Sequence, residues 1–390
     1  MICAKGKPSD SPPLPGIGSV ILQLKRDLFG KDVEDCATYT YEWLADQVGH
    51  FTLGFTGVFL FHWFNAGIYT VYRAAAGWTW AIVICLIFVG VETFDFFSQW
   101  RTYCQSNRVF RLNTLEILWN CFTAVYYIAI GAVVAAFGIG DAARGFWAAA
   151  AGLGFFVAPA VWWLERKICF QQAGLPSYFR LPFFQNTITT PTAAFIADLC
   201  KPSPPDEPQK TNRHLIIAGP LSSGKSTLAI AIGTEFAVRM RMGVGRYSTF
   251  AKLIQSVQEY SAGDKAEVGD GRILWPWQTS ELLIVDDVDV VSEYGPGANS
   301  DPKRELEIAR SRTQFIISKI SKDIRENLKY RRTVWVVGDV DDGRLDLWKA
   351  VLADTIGITP GNMTVCRFAD KIRDLKTERK RPAKLERVKL

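Results

Sequence analysis

Between residues 51 and 164 the chain is a succession of apolar runs with short polar breaks, and beyond residue 201 it turns to brief apolar stretches set among charges. Four of the early runs, 51–72, 74–91, 117–139 and 145–164, are long and uncharged enough to cross a bilayer as helices, which takes roughly 20 apolar residues at about 1.5 Å of rise each. Trp78, Trp80, Trp119, Trp162 and Trp163 stand near their ends, where amphipathic rings favour the membrane–water interface. Buried helices of a large water-soluble protein would also be apolar, but several uncharged runs in succession with aromatic ends favour membrane spans. Glu92 and Asp95 follow the second run at once. Small residues in the fourth, such as Ala148 and Gly152, would let another helix approach closely. His62, Asn65 and Glu92 admit two readings, an ion path or simple hydrogen bonding between helices with Glu92 at the interface.

The pattern then changes. Residues 174–199 are aromatic but interrupted by Pro176, Pro182 and Pro191, which suits an interfacial or domain-packing segment. Residues 201–212, KPSPPDEPQKTN, hold four prolines and no bulky apolar side chain, the composition of a stiff linker. After it, strands are expected at 215–217, 246–250, 282–287, 333–337 and 363–368, and helices at 226–239, 251–260, 303–328 and 345–355. Such alternation predicts an α/β fold, a doubly wound parallel five-stranded sheet, preceded by an all-α transmembrane bundle. The expected organisation is an N-terminal segment 1–50, a transmembrane region 51–167 of about four helices, an interfacial segment and linker 168–212, a sheet domain 213–368 and a basic tail 369–390.

Composition refines this. The 390 residues are 48% hydrophobic, enough for two or three compact units, and the net charge is +6. The tail holds nine Lys or Arg against four acids, so nearly all the excess sits there; it is read as a solvated end, a patch for anionic lipid, or a nucleic-acid contact. Arg101, Arg108 and Arg111 lie between the second and third runs, and Arg166 and Lys167 follow the fourth, whereas the opposite loops offer Arg73 and Arg144. Positive residues stay in the cytosol, so both termini and the sheet domain are expected there. The first fifty residues lack the pattern of a removable signal peptide, which leaves the first span as the insertion signal. Eight scattered cysteines with no CxxC pair favour free thiols, and His50, His62 and His214 have no metal-ligand spacing to one another.

One motif carries chemistry. Residues 214–227 read HLIIAGPLSSGKST, in which Gly219, Gly224, Lys225 and Ser226 satisfy G-x-x-x-x-G-K-[ST] between an expected strand and an expected helix. A tightly turning loop, Gly219, Pro220, Leu221, Ser222, Ser223 and Gly224, would offer backbone N–H groups to phosphate oxygens, with Thr227 in the first helical turn. Lys225 would reach the β and γ phosphates of ATP, and the Ser226 hydroxyl would ligate Mg²⁺. About 60 residues on, LLIVDD at 282–287 is an apolar strand ending in two acids. Asp286 would hold Mg²⁺ through water and Asp287 would polarise an attacking water.

Taken together, the loop, the RYSTFAKLIQ strand and helix, LLIVDD and the apolar strand TVWVV resemble the AAA+ ATPases, nearest to the DnaA/DnaC/IstB-like helicase-loader branch, over residues 214–368. Ser222 stands where a loop glycine is common, and little chain follows residue 368 for a helical lid. The resemblance implies that Asp339, where Asn or Thr is usual, helps position the water. It also implies an oligomer in which a cation from a neighbouring copy reaches the γ-phosphate; Arg331, Arg332 and, first, Arg344 are the candidates near the fourth strand. The function expected is a membrane-anchored Mg²⁺-dependent ATP hydrolase that couples nucleotide turnover to a conformational or assembly change. Its partners would be membrane lipid, further copies of the chain and an unidentified client protein. A slow nucleotide switch, a gated membrane effector and a membrane-tethered DNA-acting loader remain as alternatives, the last making nucleic acid a possible partner. A GTPase is disfavoured because no [NT]KxD motif is found.

Overall fold

The computed structural model of the chain describes residues 18, 37–64, 73–103, 109–110, 114–201, 213–220, 222–239, 243–261, 277–278, 280–288, 307, 310–311, 314–315, 318–319, 322–338 and 342–368. They fall into two compact units divided at Ile168 and Cys169.

The helical unit contains α1 (Ala37–Phe64), α2 (Arg73–Tyr103), α3 (Thr114–Gly140) and α4 (Ala142–Val157), and α5 (Ala160–Gln172) begins in it. Val58, Ala81, Ile84, Ile128, Ala132, Ala135 and Ala136 form its buried core. Glycine sets the spacing of α1 and α3. A Cβ on Gly54 would collide with the Ile128 carbonyl, and one on Gly131 with the Phe51 carbonyl, so two backbones meet where no other residue fits. Gly152 of the small-residue face turns onto Ile130 and Val134 of α3 in the same chain.

Among the described residues three stretches are long and apolar enough to cross a membrane, Ala75–Thr102, Ile117–Gly140 and Ala143–Gln172. The first of the four expected spans does not reach that threshold in its described part, which ends at Phe64, and residues 65–72 lie outside the described residues. The fourth expected span is not continuous, because Pro159 separates α4 from α5. Proline has no N–H for the Phe155 carbonyl four residues back. Phe155 O accepts instead from Ala158 N–H at 3.3 Å and from the Tyr126 hydroxyl of α3 at 2.9 Å, and Phe156 O accepts from the Tyr127 hydroxyl at 2.9 Å. His62 makes no hydrogen bond through Nδ1 to any described residue, and Asn65 lies outside the described residues. Glu92, Asp95 and Cys121 bring their donor atoms within 4.8 Å of one another, a grouping that sequence spacing did not signal.

The second unit is built on a parallel five-stranded sheet of β1 (Arg213–Ala218), β2 (Gly245–Thr249), β3 (Leu282–Asp286), β4 (Arg332–Val337) and β5 (Met363–Arg367), in the order β2-β3-β4-β1-β5. All five expected strands are present. Ile216, Ala218, Leu283, Val285, Trp335, Val337 and Met363 pack with Phe250, Leu253 and Val257 of α8 (Phe250–Ser261) and with Trp348, Leu352 and Ile356 of α10 (Asp342–Ile356). The intervening strand residues, Leu215, Ile217, Ile284, Val334 and Val336, are also buried. Gly233, which ends α7 (Lys225–Gly233), lies so close to Ile284 and Leu175 that a Cβ there would come within 2.8 Å of each. Both faces of the sheet are thus covered, which is why its strands read as unbroken apolar runs.

The proline-broken segment belongs to this unit. Its α6 (Thr190–Leu199) buries Ala193, Ile196 and Leu199, and its 3-10 turn Leu181–Phe184 buries Leu181 and Phe184. Tyr247 N–H donates to Ala173 O at 2.8 Å, and the Arg213 guanidinium lies 3.1 Å from Asp198. A helix was expected over 303–328; its end is α9 (Lys322–Lys329), residues 307, 310–311, 314–315 and 318–319 are helical, and the rest lies outside the described residues. The linker 202–212 and the tail 369–390 also lie outside them.

Candidate functional site

Parallel strands bring their carboxyl ends to one edge, and four chain segments meet there. Gly219 follows β1, Asp287 follows β3, Gly338 follows β4 and Phe368 follows β5. Gly219 N–H donates to Gly338 O at 3.3 Å, and Phe368 N–H donates to Ala218 O at 2.8 Å. Gly219 has room for nothing more, since a Cβ would come within 2.8 Å of Phe368 Cβ and 3.0 Å of its carbonyl oxygen.

The loop then turns into α7. Gly224 caps that helix at φ 95°, a left-handed conformation that costs glycine little. Ser222, in place of the expected glycine, also adopts φ 62°, which strains a residue with a Cβ. Leu228 N–H makes a helical bond back to Gly224 O at 2.9 Å, so Lys225, Ser226 and Thr227 form the first turn of the helix, at its positive end. Lys225 is buried and its ammonium donates to Pro220 O at 2.7 Å. Ser223 is 4% exposed and its hydroxyl has no hydrogen-bond partner among the described residues.

Asp286 ends β3 at 2% exposure. Its Oδ1 accepts from the Ser226 hydroxyl at 3.1 Å and from Asp287 N–H at 2.9 Å; its Oδ2 accepts from the Tyr247 hydroxyl at 2.5 Å. Asp287 is an exposed residue at φ 54°. Partial desolvation and then the Asp286 charge raise its carboxyl above the usual range, with Lys225 pulling it back, so a proton acceptor of enhanced basicity stands beside the loop. Burial, and then the bond to Asp286, push the Tyr247 phenol upward, which keeps it a donor.

Of the residues expected in the site, Gly219, Pro220, Ser222, Ser223, Gly224, Lys225, Ser226, Thr227, Asp286 and Asp287 come together at this edge. Leu221 and Asp339 lie outside the described residues, although Gly338 places the end of β4 against the loop. Arg344 falls in the first turn of α10. Arg331 and Arg332 do not belong here. They stand at the amino end of β4, where Arg332 pairs with Arg213 and Leu282 at the start of β1 and β3. Six strand residues at about 3.3 Å each separate that end from the loop. Arg332 donates to Lys201 O at 2.8 Å and lies over the Phe236 ring, and Arg331 donates to Trp277 O at 3.4 Å. Nearness in sequence to β4 did not distinguish its two ends.

Tyr247, Phe184 and Phe368 were not foreseen. Both phenylalanine rings would lie 3.9 Å from a Cβ on Gly224. None sits in a spaced motif, and each reaches the loop from a different part of the chain.

A parallel α/β sheet with a glycine-rich loop and paired acids at its carboxyl edge is the class of arrangement that the fold and site define. No family model matches the chain, and no curated protein matches it. Among solved structures, the crystal structure of the DnaC helicase loader is similar at 17% identity, covering 51% of this chain and 98% of that one, with a TM-score of 0.30. A likeness of that degree assigns no activity.

Proposed function

We propose that the chain is a membrane-anchored P-loop ATPase of the AAA+ type that requires Mg²⁺. The observation that carries this reading is the meeting of the Ser226 hydroxyl with the Asp286 carboxylate at 3.1 Å, across 60 residues of sequence, beside a loop that ends in a helix N-terminus and a buried lysine. The donor set fits the ligand. The first-turn N–H groups, the Ser223 hydroxyl and the Lys225 ammonium suit a polyphosphate, and Ser226 with Asp286 supplies the hard oxygens that Mg²⁺ prefers.

In this reading Lys225 leaves Pro220 O for the β and γ phosphates, and Ser226 and Asp286 would hold Mg²⁺. When bound, Mg²⁺ supplies charge neutralisation at the β and γ oxygens. Asp287 accepts a proton from the water that attacks the γ-phosphate, and Asp339 orients that water. Arg344, at the opening of α10, serves the site of a neighbouring copy in a homo-oligomer.

The membrane assignment is supported by the three long apolar stretches and by large side chains left exposed on them, among them Phe94 at 77% and Trp147 at 71%. Lipid would cover these faces. The sheet unit lies in the cytosol, on the side of Arg166 and Lys167.

The binding test uses the full chain in detergent with a non-hydrolysable ATP analogue. Lys225→Ala is expected to weaken binding roughly tenfold or more, whereas Asp287→Asn keeps it. A wild-type chain that binds no nucleotide ends this reading.

A further inference from the structure

We infer that Tyr247 is a positioning residue for the metal half of this site, fixing the Asp286 carboxylate so that its Oδ1 edge meets Ser226. The inference rests on reading the site as one for Mg²⁺ and nucleotide. Three donors fix Asp286, and they divide by origin. The two on Oδ1 come from Ser226 and from the backbone of Asp287, elements that the loop and strand motifs already bring together. The one on Oδ2 comes from β2, the edge strand, through a side chain outside both motifs.

Tyr247 is itself held at three points. Its Cα pairs with Ile284 in the β2–β3 register, its N–H donates to Ala173 O at 2.8 Å, and its hydroxyl reaches Asp286 at 2.5 Å. A phenol anchored through its own backbone restricts rotation of the carboxylate about χ2. Without it, Oδ2 loses its donor and the carboxylate is free to turn its other edge toward Ser226. Mg²⁺ demands near-ideal octahedral geometry, and partners that orient a metal-holding carboxylate from outside typically change metal affinity about 10–100-fold.

The test is calorimetric titration of a non-hydrolysable ATP analogue into the full chain, at graded Mg²⁺ and in EDTA. Tyr247→Phe keeps the ring and the register and removes the donor. It is expected to leave the metal-free affinity unchanged and to raise the Mg²⁺ concentration for half-maximal enhancement of binding by roughly tenfold or more. In an Asp286→Asn background the same change is expected to add nothing, because the two act through one contact. An unchanged Mg²⁺ requirement overturns the inference, and so does a Tyr247→Phe chain that loses metal-free affinity, which marks a structural role alone. A wild-type chain that binds the analogue equally with and without Mg²⁺ removes the metal reading of the site itself, a result distinct from either.

Discussion

His214 enters β1 fully buried, and its hydrogen bonds define one tautomer. Nε2–H donates to Lys329 O at 3.3 Å, and Nδ1 accepts from the Thr333 hydroxyl at 2.8 Å, which in turn accepts from the Trp335 indole at 2.9 Å. Burial pushes the imidazole down to about 4, against an ordinary value of about 6.5. The ring is neutral in the folded chain at pH 7, and the stability linked to it is fully present above about pH 6.5. As pH falls from there the unfolded chain gains a proton that the folded one refuses, and stability is lost until about pH 4. The contribution is on the order of 3 kcal/mol. Thermal unfolding of the sheet unit in the full chain should therefore fall more steeply between pH 7 and pH 4.5 in wild type than in His214→Gln; equal slopes would contradict the assignment. At this scale the loop after β1 and both acids after β3 were legible as neighbours, because each chemistry-bearing type stands at a fixed spacing. It did not show Tyr247, which is brought to Asp286 by strand pairing alone, nor the neutral state of His214, which follows from burial between β4 and α9.

At the scale of elements, the strands were legible to within a residue or so because a sheet covered on both faces writes itself as apolar runs bounded by polar residues. Helix limits were less so. α2 continues through Glu92, Asp95 and Gln99 to Tyr103, well past the apolar window, and Gln99 donates to Asp95 one turn back at 2.5 Å. The α4–α5 break was hidden because Pro159 stands in an otherwise suitable run, and its consequence depends on Tyr126 and Tyr127, about 30 residues earlier. Tyr127 is 0% exposed. Tyr127→Phe leaves the Phe156 carbonyl without its partner where water is scarce and is expected to cost about 1–2 kcal/mol. Unfolding of the helical unit in mixed micelles would measure this, and a variant as stable as wild type would show that the carbonyl finds another donor.

Across the whole molecule, the change of solvent implied by the sequence coincides with the division into a helical unit and a sheet unit, the boundary falling within α5. The positive residues after the last apolar stretch predict opposite sides of the membrane for Arg144 and Lys201. With a membrane-impermeant thiol reagent on intact cells, Arg144→Cys should gain labelling over the wild-type background and Lys201→Cys should gain it only after permeabilisation. Equal labelling of both would remove the span between them.

The central claim is that the carboxyl edge of the sheet hydrolyses ATP with Mg²⁺. It is tested most directly by phosphate release from ATP by the full chain in lipid nanodiscs, with Lys225→Ala and Asp287→Asn alongside. The account predicts turnover that disappears in EDTA and falls roughly 100-fold or more in both variants, while Asp287→Asn still retains bound ATP. Turnover by Lys225→Ala at the wild-type rate, or none by a wild-type chain that is folded and supplied with Mg²⁺, would contradict it.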